Sequence, residues 1–212
     1  MTIRVALVDD HALVRAAFRF MLASFGDIEV VAEGGTGEDA LRIARELKPD
    51  VILLDVSMPG MSGIEVTQRL VKSGSKVRIA IVTMHGDGPL PKMLLGVGAS
   101  AFLTKDCSAD EMIRAIRSIE RGGRYVAEVI AQRMALANAS GNASPLDSLT
   151  PREFEVALML GRGDRPVDIG DRLHISEKTV HTYKTRTYAK LSVRNEAELT
   201  LLLVRNGLLT EM

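Results

Sequence analysis

Three carboxylates stand at the ends of short apolar runs: Asp9 and Asp10 follow residues 3–8, and Asp55 follows residues 51–54. Thr83 closes another run at 78–83, and Lys105 comes shortly after one at 101–103. If these runs are parallel strands of one sheet, all five side chains leave it at the edge where such sheets bind ligands. Carboxylates brought together repel, and a hard divalent cation that prefers oxygen, Mg²⁺, is the usual remedy. A lysine beside them suits a site that also handles a phosphoryl group. Taken singly, an Asp at a strand end is more often a turn former, and a Thr in a strand is ordinary. Their shared position at matching strand ends is what favours a site.

A second concentration of chemistry lies in residues 178–194, where Lys178, Lys184, Arg186, Lys190 and Arg194 occur with no acid between them. The whole chain of 212 residues carries 27 Lys plus Arg and 27 Asp plus Glu. That balance excludes a protein that holds nucleic acid through overall charge. A row of cations on one helix and its exit is nevertheless the footprint of a phosphate-facing surface, although any one lysine is as readily a solvated surface residue.

The elements that position these groups follow from the apolar pattern. Runs at 3–8, 28–32, 51–54, 78–83 and 101–103 alternate with segments of helical period at 12–24, 37–47, 63–73, 90–98 and 109–121. Five such repeats predict a parallel sheet with helices on both faces. A helix is expected at 125–137, then a small, polar stretch ending at Pro145 that has the composition of a linker. Beyond it only helices are expected. Thr150-Pro-Arg-Glu153 is a capping-box start, and Ser176 is a good cap for a long helix at 177–191. Helices near 167–173 and 196–206 complete a small bundle containing a helix-turn-helix.

Val8-Asp-Asp-His11, Leu54-Asp-Val-Ser-Met-Pro-Gly60, Val82-Thr83 and Leu103-Thr-Lys105 resemble, in order and spacing, the receiver domain of two-component response regulators. The resemblance implies a doubly wound, flavodoxin-like α/β domain over residues 3–121. In it Asp55 would accept a phosphoryl group from a cognate sensor histidine kinase. Asp9, Asp10 and Asp55 would hold Mg²⁺ with the main-chain carbonyl of Ser57, Lys105 would pair with the phosphoryl group, and Thr83 would donate its hydroxyl to it. Phe102 stands where the family has its switch aromatic.

After a linker with a helix at 122–147, residues 148–210 resemble the all-α LuxR-type helix-turn-helix domain through Leu149-Thr-Pro-Arg-Glu153, Asp168-Ile-Gly-Asp-Arg-Leu-His-Ile-Ser-Glu-Lys-Thr-Val180 and Ala189-Lys-Leu-Ser-Val193. The whole chain is similar to the NarL/FixJ family of transcriptional regulators, in its GacA/UvrY type, through Gly88-Pro-Leu-Pro91, Arg124-Tyr-Val126 and Glu198-Leu-Thr-Leu-Leu-Leu-Val204. His174 departs from the family, which often has Gly there. The resemblance implies a non-enzymatic DNA-binding regulator that forms a homodimer on a two-fold operator. On its recognition helix His181, Thr182 and Thr185 are expected to reach bases, and Lys178, Thr179, Lys184, Arg186 and Lys190 mainly phosphates. Ile175, Val180, Ala189 and Leu191 are expected to pack, and Ile169, Leu173, Leu199 and Leu202 to form core.

The remaining features constrain the reading. A phosphatase resembling the haloacid dehalogenase family needs a second Asp two positions after the nucleophile, where this chain has Ser57. A lone Cys107 excludes an intramolecular disulfide. The first ten residues read as neither signal nor transit peptide, and no apolar run approaches the ~18 residues of a membrane span. A cytoplasmic protein without membrane contact is expected.

Overall fold

The structure, a computed structural model, describes residues 2–84, 89–139, 144–206, 208 and 209. The main division between its two units falls between Ala131 and Gln132. Gly88, the linker residues 140–143, and residue 210 at the expected domain limit lie outside the described residues.

The first unit is a sheet of parallel strands, β1 (Ile3–Val8), β2 (Ile28–Gly34), β3 (Val51–Leu54), β4 (Arg78–Thr83), β5 (Ala101–Thr104) and β6 (Tyr125–Val126), in the order β2-β1-β3-β4-β5-β6. Between them run α1 (Ala12–Leu22), α2 (Gly37–Glu46), α3 (Gly63–Lys72), α4 (Leu90–Val97) and α5 (Ala109–Glu120). α1 packs beside α5 and α2 beside α3, so the sheet is covered on both faces. Every residue of β3 is buried, as a central parallel strand requires. Strand order reverses between β1 and β3, which makes their carboxyl ends the switch point where ligands bind in such sheets.

The sheet has one strand more than the apolar runs predict. Tyr125 and Val126, expected to begin a helix, instead pair with Ala101 and Phe102, and α6 (Glu128–Ala139) starts only after them. A two-residue strand is too short to leave a periodic signal, so it merged with the helix that follows.

In the second unit a 3₁₀ turn at Pro145–Ser148 leads to α7 (Pro151–Gly161), α8 (Pro166–Leu173), α9 (Glu177–Leu191) and α10 (Glu196–Arg205). Both halves of the Thr150–Glu153 capping box form, and Ser176 caps α9 by accepting the Thr179 N–H at 3.1 Å. Phe154, Leu160, Ile169, Val180, Leu191, Leu199 and Leu203 fill the core. Each contributes roughly 1.5–3 kcal/mol of burial. Two expectations need correction: Leu202 is only half-buried, and Ala189 is exposed on α9 rather than packed. The turn from α8 to α9 closes through His174 at φ +52°, a backbone that His tolerates better than most non-glycine residues. Gly170 is required there, since a Cβ would lie 2.9 Å from the Ile175 carbonyl. Among the described residues no helix is long and apolar enough to cross a membrane.

Candidate functional site

Strand register brings the acids together. Val8 pairs with Leu54, so Asp9 and Asp55 leave adjacent strands at one level, and the Asp55 N–H donates to the Val8 carbonyl at 2.9 Å. On the far side the Lys105 N–H donates to the Thr83 carbonyl at 2.9 Å. The Lys105 ammonium then reaches back to Asp9 Oδ2 at 2.6 Å and Asp55 Oδ2 at 3.1 Å. Asp9, Asp55, Thr83 and Phe102 are all buried, whereas Ser57 is exposed. Burial pushes the Asp55 carboxyl above the usual carboxylate range, opposed by the Lys105 charge and reinforced by Asp9. For Lys105, burial works to lower the ammonium, but the hydrogen bond to Asp9 and the charge of Asp55 outweigh it and hold it above its ordinary value.

Ligand atoms of Asp9, Asp10, His11 and Asp55 all lie within 4.8 Å of one another. Two donors on opposite sides of one ion, with bonds of ~2.1 Å, are about 4.2 Å apart, so the cluster has the scale of a single cation. The acceptors fit one. Asp10 Oδ1 and Asp55 Oδ2 are buried and receive no hydrogen bond, with His11 Nδ1 2.7 Å from the first and the Lys105 ammonium 3.1 Å from the second. The pocket is therefore compatible with a divalent metal.

α9 presents a single outward stripe. Glu177, Lys178, His181, Thr182, Thr185, Arg186, Ala189 and Lys190 are exposed, while Val180, Thr187 and Leu191 are buried on the opposite face. This is one face of a 3.6-residue period. The basic row divides in two. Lys184 pairs with Glu196 of α10, Lys190 with Glu153 of α7 at 2.6 Å, and Arg194 with Glu198 at 2.6 Å. Among the described residues no ion pair engages Lys178 or Arg186. Thr182 and Thr185 donate their hydroxyls back to the carbonyls of Lys178 and His181, and Thr179 shares a 2.7 Å hydrogen bond with Ser176. Tyr188 is half-buried, its phenol pushed up to about 12 by burial and by Glu196.

Residues 5–117 match the response regulator receiver domain, and residues 147–203 the luxR family of bacterial regulatory proteins. Over 208 residues the chain is 43% identical to the response regulator GacA of Pseudomonas aeruginosa, covering 97% of each chain. It is 41% identical to the response regulator UvrY of Escherichia coli K12, covering 97% of this chain and 95% of the other. This chain is a two-component response regulator. Its fold recurs in RcsB of Salmonella enterica serovar Typhimurium, solved bound to the promoter rprA, with a TM-score of 0.79 over 96% of this chain and 99% of that one. At 21% identity that likeness speaks for the fold alone. Membership makes the chain a phosphorylation-dependent, DNA-binding transcription regulator rather than an enzyme.

Three features of this response regulator escaped the sequence. Gly63 begins α3 with its N–H on the Val56 carbonyl at 3.0 Å, folding the chain back over the residue that carries the Asp55 carboxylate. A Cβ there would lie 2.2 Å from the Asp55 carbonyl. Backbone cannot yield as a side chain can, so Gly63→Ala is expected to lower stability by about 1–3 kcal/mol and to reduce phosphoryl labelling of Asp55, read by thermal melting beside acetyl-phosphate labelling. Arg15 holds the Asp9 carbonyl from α1 through Nη1 at 2.6 Å. Glu153 joins its own capping box to Lys190 of the long helix. Each depends on residues brought together by folding, and only Glu153 left a motif to find. At Cys107 burial, with Glu111 and Asp106, pushes the thiol up to about 11, which makes it a poor nucleophile.

Proposed function

We propose that a cognate sensor histidine kinase phosphorylates Asp55, and that this event governs the binding of α9 to promoter DNA by a homodimer. The observation that carries the reading is the buried Asp55 Oδ2, which receives no hydrogen bond and faces Asp9, Asp10 and Lys105. In the transfer, an Asp55 carboxylate oxygen attacks phosphorus, the bond from phosphorus to the kinase's imidazole nitrogen breaks, and an acyl phosphate forms. Asp9, Asp10, Asp55 and the Ser57 main-chain carbonyl would hold Mg²⁺, which supplies charge neutralisation on the transferring oxygens. Lys105 turns its ammonium to a phosphoryl oxygen, and Thr83 donates its hydroxyl to another. Thr83 moving inward opens space for Phe102, which lies opposite Val126 of β6. A buried aromatic with two packings is a two-state element that one covalent event can bias.

The receiver spans residues 3–121, the linker with its helix 122–147, and the DNA-binding domain 148–210. His181, Thr182 and Thr185 reach base edges from the outward stripe, while Lys178 and Arg186 are the cations available for phosphates. Thr179 flanks them, while Lys184 and Lys190, held by Glu196 and Glu153, position the helix. The site of action is the cytoplasm, where promoter DNA lies. Two phosphate contacts per protomer give about four per dimer. By counterion release, affinity then falls roughly 100-fold between 50 and 200 mM salt, against ~10⁵-fold if all five basic residues made contact in each protomer. Fluorescence anisotropy of phosphorylated full-length protein on an operator fragment measures this slope. Binding that ignores salt would overturn the DNA-facing role of α9.

A further inference from the structure

His11 is the N-cap residue of α1, with extended backbone, yet its side chain makes no capping hydrogen bond. Its backbone N–H donates to Asp9 Oδ1 at 2.8 Å, and its ring is turned toward the acids, with Nδ1 2.7 Å from Asp10 Oδ1 and 3.2 Å from Asp9 Oδ1. The imidazole is 64% exposed, so burial does not hold it there. It is one of four donors lying within 4.8 Å of one another, beside an Asp55 oxygen that is buried and receives no hydrogen bond.

Mg²⁺ takes oxygen ligands and retains several waters. Imidazole combined with carboxylates suits divalent ions later in the first transition row. In the tautomer with its proton on Nε2, His11 offers the Nδ1 lone pair at the spot where it now meets Asp10. We propose that His11 gives the acid pocket a nitrogen ligand, so that it takes a divalent transition ion of the Zn²⁺, Co²⁺ or Ni²⁺ class in competition with Mg²⁺. The inference rests on the reading of Asp9, Asp10 and Asp55 as a metal site. Such an ion would occupy the phosphoacceptor site against the ion that phosphoryl transfer uses, making the receiver responsive to metal status.

Calorimetric titration of the full chain with Mg²⁺ and with Co²⁺, for wild type and His11→Gln, tests it, with ¹⁵N shifts of the His11 ring recorded on addition of Zn²⁺. Wild type is expected to bind Co²⁺ at least about tenfold more tightly than Mg²⁺, with the two ions competing. His11→Gln is expected to reduce that preference about tenfold, and Zn²⁺, but not Mg²⁺, to displace the Nδ1 signal. An unchanged preference in the variant, Mg²⁺ and Co²⁺ bound together without competing, or a Nδ1 signal indifferent to Zn²⁺ would each overturn the proposal. Co²⁺ bound through His11 with no binding of Mg²⁺ would instead overturn the Mg²⁺ reading and leave this one standing.

Discussion

Asp55→Asn is expected to reduce phosphoryl labelling, by acetyl phosphate or by a kinase, at least ~100-fold while the receiver stays folded, because an amide lacks the nucleophilic carboxylate oxygen. The folded state supports the second half of that expectation. Burial and the neighbouring Asp9 hold the Asp55 carboxyl above its ordinary range despite Lys105. An acid with a raised value in the fold favours the folded state at low pH. That contribution is fully present below the unfolded value and is lost as pH rises from there through the raised folded value, the window in which the unfolded chain has ionised and the folded carboxyl still holds its proton. Above that window the carboxyl opposes folding, because burial penalises its charge, and neutral Asn at the same place removes the opposition. The melting temperature of Asp55→Asn in chelator is expected to equal or exceed that of wild type. Labelling that persists in a folded variant would mean that another residue is the acceptor.

The second large effect concerns Lys190, which sequence alone assigns to DNA phosphates. Its ammonium lies 2.6 Å from Glu153 Oε2 and 3.1 Å from the Ser148 carbonyl. Glu153 is buried, and although burial works to raise its carboxyl, Lys190 and the Thr150 donors hold it below the usual carboxylate range. Lys190→Ala strands a buried charge. The pair is partly solvated on the lysine side, so the expected loss is about 1–3 kcal/mol, seen as a lower melting temperature of the C-terminal unit. DNA affinity falls with it, equally on operator and unrelated sequence, because the helix as a whole is less well held. Arg186→Ala is expected to leave stability within ~0.5 kcal/mol, to weaken DNA binding, and to reduce the salt slope by about 1 per protomer. Lys190→Ala that melts like wild type yet flattens the salt slope would return Lys190 to the phosphate-contacting set.

These two residues mark what the sequence makes legible. The place of Asp55 at a strand end beside Asp9 was legible because buried parallel strands announce themselves as unbroken apolar runs that end at one edge of the sheet. Capping residues Thr150 and Ser176 were legible for a local reason, since each satisfies backbone donors within three residues. Lys190 was misleading because its partner lies 37 positions away, and a charge row says nothing of which cations the fold itself consumes. Gly63 was silent because its requirement comes from a carbonyl that only the folded loop brings near. β6 was hidden by its two-residue length. Net charge proved a poor guide at both scales: the chain's zero concealed an acidic pocket, and the positive row of α9 and its exit contains three cations already paired with acids, Lys184, Lys190 and Arg194.

Genome-wide mapping of bound DNA, for wild type and Asp55→Asn at native expression under conditions that activate the cognate kinase, tests the central claim most directly. Phosphorylation of Asp55 controlling α9 predicts that wild type occupies a limited set of promoters sharing a two-fold motif and that the variant loses occupancy at those promoters. Equal occupancy of the same promoters by both proteins, or an absence of promoter enrichment for wild type, would contradict it.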